Sequence, residues 1–154
     1  MVAWEQQLSE ILEREDSILS RISNEARLKT DALKNGDIVR LDSIVNREQP
    51  LALQLRAAEQ KRRSLLEGNG LSSQTLSELS ERAVPVYKEK LKNQLKSMLQ
   101  VSLRLKRIND LNAELTRTRL EFYNYLRGPG EAEYENNGKV KEVTAANALI
   151  DRKA

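Results

Sequence analysis

From Trp4 to Leu126 the apolar residues of this chain return at steps of three and four, and the stops between the runs are few: "KNGD" at 34–37, "EGNG" at 67–70 and "RGPG" at 127–130. A strand buries every second residue, whereas steps of three and four keep side chains on one stripe of a helix. Runs this long cannot bury their stripes alone. The chain is therefore constrained to lay long helices side by side, an all-α antiparallel bundle of three long helices with coiled-coil-like packing, one short intervening helix and a flexible C-terminal tail.

The first helix is predicted over about residues 2–33. Trp4, Leu8, Ile11, Ile18 and Ile22 form its stripe, and Leu12, Leu19, Ala26 and Leu33 recur every seven residues, for a length of roughly 45 Å. Gly36 suits a left-handed cap and Asp37 suits the N-cap of the next helix. That second helix is predicted over 38–67, with Leu41, Ile44, Glu48, Leu51, Leu55, Ala58, Arg62 and Leu65 on one face. Pro50 removes one backbone donor inside it, which predicts a kink or break near Arg47–Gln49. A short helix over 74–83 carries Thr75 and Glu78 in capping-box spacing. The longest helix, 86–127, marks its buried face with Tyr87, Leu91, Met98, Leu105, Ile108, Asn112, Leu115, Phe122 and Leu126. These helices make one domain, 1–127. Residues 128–154 read as a mobile tail with a short helix over 143–152.

Of the 154 residues, 32% are charged and only 4% aromatic, so the core must come from Leu, Ile, Val and Ala. There is no histidine and no cysteine. That removes the commonest general base, the commonest metal ligands and the thiol nucleophile, so neither a cofactor nor a metal is expected and the chain does not read as an enzyme. It also removes any disulfide framework, which points to a reducing cytoplasm. The opening "MVAWEQQLSEILERED" is acidic and amphipathic rather than a secretory signal. No stretch approaches the roughly 20 apolar residues needed to span a bilayer, so stable membrane insertion is not expected.

Charge divides between the ends. Residues 1–33 carry seven acidic and four basic side chains, and residues 78–127 carry six acidic and eleven basic ones. An acidic first helix beside a basic last helix is favourable within one bundle. The lysines of "KEKLKNQLK" could neutralise phosphates. They alternate with Glu89 and with stripe residues, and no aromatic stacking group lies nearby. A solvated bundle face explains them better than a nucleic-acid surface.

One stretch breaks the oily pattern. In "RINDLNAEL" (107–115), Asn109 and Asn112 sit three apart, and on a helical wheel both fall within about 40° of Met98, on the packed face. A buried unpaired amide costs about 1–3 kcal/mol, so each needs a partner. A polar residue in a helical seam can fix register. Alternatively, the face opens onto a groove where a partner helix supplies the matching groups.

"NDLNAEL" resembles the Asn-x-x-Asn-x-x-Leu signature of the FlgN family of flagellar export chaperones. The likeness continues through the Gly break in "LRG", the tyrosine and glycine turn of "YENNGK" and the closing "LIDRKA". Upstream, "GDIVRLDSIVNREQPL" is similar to the family's Gly-Asp turn into its second helix, and Pro50 departs from the smoother helix of that family. The resemblance spans almost the whole chain. It implies a cytoplasmic chaperone that binds the C-terminal helical regions of flagellar hook–filament junction proteins, prevents their premature assembly and delivers them to the type III export gate. By the same resemblance, the partner surface lies on the C-terminal half of the long helix, for which the candidates are Ile108, Asn109, Asn112, Leu115, Arg119, Phe122 and Leu126. Tyr134 occupies the place of the family's gate-docking tyrosine; a lone tyrosine there could equally pack on the bundle.

In the tail, Val143, Ala146, Leu149 and Ile150 are helically spaced and could fold back over an empty groove, so that deleting 138–154 would tighten partner binding. A structural coiled-coil adaptor, or a dimerisation protein with no chaperone role, would account for the heptads but not for the tail. The stripes also leave open whether the chain works alone or as a homodimer.

Overall fold

The structure, a computed structural model, describes residues 3–128. Four helices follow one another: α1 (Trp4–Asn35), α2 (Ile38–Gly68), α3 (Leu76–Arg82) and α4 (Pro85–Arg127). No strand occurs among the described residues. Tyr134, Val143, Ala146, Leu149, Ile150 and the expected helix over 143–152 lie outside them.

Local chemistry sets the ends. Gly36 takes the left-handed conformation at φ 65°, which a β-carbon would resist. Its turn lets the Asp37 amide donate to the Ala32 carbonyl at 2.9 Å. Asp37 then caps α2, accepting from the Arg40 amide at 3.0 Å. Thr75 does the same for α3, accepting from the Glu78 amide at 3.2 Å. Pro85 opens α4 in the first turn, where a missing N–H leaves no bond unmade.

α1 is the central element, in backbone contact with both α2 and α4. The α1–α2 pair is antiparallel: Glu15 meets Arg62, Glu25 meets Arg47 and Lys29 meets Glu48. The α1–α4 pair is parallel. Ser9 meets Gln94, Asp16 meets Ser97, Ala26 meets Asn112 and Leu33 meets Arg119, so the partners climb together. The antiparallel arrangement expected for the bundle thus describes α1 against α2, while the turn through α3 brings α4 back alongside α1 in the same direction.

The core has two parts. Toward the start of α1, Leu8 and Leu12 pack with Leu66, Leu71, Leu79, Ala83 and Leu91. Farther along, Ile18, Leu19, Ile22 and Ala26 pack with Leu55, Ala58, Val101 and Leu105. Met98 touches both parts.

Two expectations are corrected. The break anticipated near Arg47–Gln49 does not occur, since α2 is continuous through Pro50. Pro50 is on the exposed side, where water can satisfy the carbonyl that its ring leaves without a donor. Phe122 and Leu126, expected on the buried face of α4, are 61% and 65% exposed. Asn112 pairs with Ala26 at an offset of 86 residues, which puts the last residue of α1 level with Glu121. Beyond that level α4 has outrun α1.

Candidate partner-binding surface

The second half of α4 carries two different faces. One is turned to α1 and is closed by polar contacts. Asn112 is 2% exposed, its Nδ2 donates to the Ala26 carbonyl at 2.9 Å and its Oδ1 accepts from the Thr30 hydroxyl at 2.5 Å. Arg119 donates through Nε to the Leu33 carbonyl at 2.9 Å and through Nη2 to the Lys34 carbonyl at 2.6 Å. Asn109 is also buried, but its Nδ2 has no hydrogen-bond partner. These three candidate residues are therefore occupied with, or enclosed by, the bundle itself.

The other face is apolar and open. Leu111, Phe122, Tyr125 and Leu126 are exposed, and Ile108 and Leu115 are half-buried beside them. Leu111, Leu115, Phe122 and Leu126 fall within about 60° of one another around the helix, a stripe that continues past the end of α1. Sequence reading missed Leu111 and Tyr125. Their spacing from Leu115 and Phe122 carries the signal, since all four fall on or beside one stripe of the helix.

Between the two faces of α4 and the far ends of α1 and α2 lies a groove of about 460 Å³. Ala32, Leu33, Ile38, Leu41, Val45 and Leu120 line it, with Asp37, Asp42 and Arg119 at its polar margins. Tyr123 completes the wall and is covered on its ring face by the Arg127 guanidinium, 4.1 Å from the ring centre.

Charge is buried in the α1–α2 seam. Lys29 Nζ lies 3.1 Å from Glu48 Oε2, with both side chains almost fully enclosed. Burial pushes the Glu48 carboxyl above its ordinary range, against the pull of Lys29. Glu15 is 1% exposed and meets Arg62 at 2.5 Å. Burial, helped by the neighbouring Glu59 charge, raises its pKa to about 7 although Arg62 opposes the shift. Glu15 and Lys29 stand on one seven-residue ladder with Leu8 and Ile22, which was the sequence signal for their burial. Among the basic residues at the start of α4, Lys88 and Lys92 bind Glu81 of α3 at 3.1 and 2.7 Å. No cluster of acidic side chains that could hold a metal ion occurs among the described residues.

A family model described as FlgN protein matches residues 1–126. The chain belongs to the FlgN family. It is accordingly a member of a family of flagellar export chaperones, built as a helical bundle. None of the described helices of this FlgN-family chain is long and apolar enough to cross a membrane. No curated protein and no solved structure matches it.

Proposed function

We propose that this FlgN-family chain binds the C-terminal helical regions of flagellar hook–filament junction proteins in the cytoplasm, keeps them from assembling early and delivers them to the export gate. The observation that carries the reading is the open apolar stripe of α4. A lone bundle gains nothing from presenting Phe122 and Leu126 to water, and a row of large apolar side chains at helical spacing is what an amphipathic partner helix needs. Ile108, Leu111, Leu115, Phe122, Tyr125 and Leu126 provide the contact. Asn112 and Arg119 act behind it, fixing α4 to α1, and Asn109 stays inside the seam. Tyr134 docks the loaded chaperone on the gate.

The test is calorimetric titration of the full chain with a peptide from the C-terminal region of a junction protein, at two salt concentrations. Binding should be submicromolar and nearly independent of salt. Phe122→Asp and Leu126→Asp should each weaken it about tenfold or more, with thermal stability unchanged because both side chains are exposed. Binding indifferent to both substitutions would move the surface elsewhere. No binding to any junction-protein peptide would leave the coiled-coil adaptor role, and steep loss with salt would point to a charged surface.

A further inference from the structure

We propose that the groove at the open end of the bundle is the seat of this chain's own segment 143–150, "VTAANALI". The groove is a pocket with three walls. Ala32 and Leu33 come from α1, Ile38, Leu41 and Val45 from α2, and Leu120 and Tyr123 from α4, and no described element covers it. Its occupant must be apolar, short and within reach. Val143, Ala146 and Ile150 fall on one side of a helix, with Leu149 beside them. The groove begins at Tyr123, and the chain leaves α4 at Gly128, about 8 Å farther along the axis. Fourteen residues lie between Gly128 and Val143. Such a linker reaches at most about 50 Å and spans about 20 Å on average. The segment is thus held near the groove at high effective concentration.

Charge favours the same occupant. Asp37 and Asp42 stand at the margin of the groove on the α2 side, and two cations, Arg152 and Lys153, follow Ile150 after a single acidic residue, Asp151. Seating Ile150 among Leu41 and Val45 brings opposite charges together at the rim.

The seat does not compete with the partner stripe. The groove residues of α4 (Thr116, Arg119, Leu120 and Tyr123) and the stripe residues (Leu111, Leu115, Phe122 and Leu126) lie about 100° apart around the helix. The seated segment covers the end of the core and braces the last turns of α4 while leaving the stripe open.

The chain has no cysteine, so Ala148→Cys, placed off the apolar side of the segment, offers a single attachment point for a nitroxide. In the full-length, isotope-labelled protein without any partner, the label should broaden the amide signals of Leu41, Val45, Leu120 and Tyr123 and spare those of Leu8 and Leu12. Adding Val143→Asp and Ile150→Asp should restore the signals. Sparing of the groove residues, broadening spread evenly along the chain, or broadening that survives the two aspartates would overturn the proposal. So would broadening that arises only when the nitroxide and the isotope label are on different molecules, which would make a second copy the occupant. Because no junction protein is present, none of these outcomes depends on the export reading.

Discussion

Arg119 and Leu33, 86 residues apart in sequence, are joined by a hydrogen bond of 2.9 Å from the guanidinium Nε to the backbone carbonyl. The neighbouring Nη2 takes the Lys34 carbonyl at 2.6 Å. Helices end with carbonyls that have no internal donor, at the negative end of the helix dipole. A cation from α4 answers both needs of α1. Arg119→Ala should therefore lower unfolding free energy by about 1–2 kcal/mol in urea titration, the loss being limited because water reaches the freed carbonyls. Arg119→Lys should restore only part of it, since an ammonium lacks the two-pronged geometry.

Gly36 is coupled to the same arginine. A β-carbon at Gly36 would lie 2.8 Å from Arg119 Nη1, on a backbone already at φ 65°. Gly36→Ala should cost about 1–2 kcal/mol. In an Arg119→Ala background the backbone cost remains and the clash disappears, so the double variant should lose less than the two single losses combined. Strict additivity would mean that the guanidinium simply swings aside.

The two asparagines of α4 should respond in opposite directions. Asn112→Leu removes a donor and an acceptor that Ala26 and Thr30 use inside the seam, and should cost about 1–3 kcal/mol. Asn109→Leu removes a buried Nδ2 that has no partner. It should be neutral or stabilising by about 1 kcal/mol. Equal destabilisation of both in thermal melts would show that Asn109 is satisfied by an ordered water.

Stability should fall as pH rises from about 5 to about 8. The folded state holds the Glu15 proton up to about pH 7 against a usual value of 4.5, so across that interval it binds more protons than the unfolded chain. The contribution is complete below the ordinary carboxylate range and is lost as pH passes through about 7. It amounts to about 3 kcal/mol for a shift of that size. The raised Glu48 carboxyl acts in the same direction. Glu15→Gln should flatten the slope of unfolding free energy against pH. A slope identical to that of the parent chain would remove Glu15 as its source.

The enclosed pair of Lys29 and Glu48 gives a further test. Lys29→Met leaves Glu48 buried without its cation and should cost about 3–5 kcal/mol at pH 8. The loss should shrink at pH 5, where Glu48 can take up a proton. Adding Glu48→Leu should recover most of the loss, because a well-packed apolar pair can match a buried ion pair.

What could be read from the sequence follows the range of the forces involved. The all-α character and the four helices came from spacing, and the caps at Gly36–Asp37 and Thr75–Glu78 came from groups within a few residues of each other. The wheel placed Asn109 and Asn112 on the packed face correctly. It could not say that Asn112 has partners and Asn109 Nδ2 has none, because that depends on the parallel register of α1 and α4. Glu15 and Lys29 are harder to read, because an apolar pattern skips the charged members of a ladder. A pattern shows which face is oily, not how far the neighbouring helix extends, so it puts Phe122 and Leu126 in the core. The surface suggested for partners therefore divides into an open stripe and a closed seam that look alike in sequence.

The two long seams of α1 are fastened by different chemistry. Toward α2 it relies on ion pairs whose carboxylates Glu15 and Glu48 are held against the cost of burial. Toward α4 it relies on amides, hydroxyls and one guanidinium, with the Asp16 carboxylate accepting from the Ser97 hydroxyl and none of the ion pairs at Glu15, Glu25 and Lys29 crossing that seam. The helices should accordingly be released in a fixed order as the solution turns alkaline. α2 peels away first and exchanges its amide hydrogens early, while α1 and α4 stay zipped in parallel and keep the α4 stripe aligned after α2 has let go.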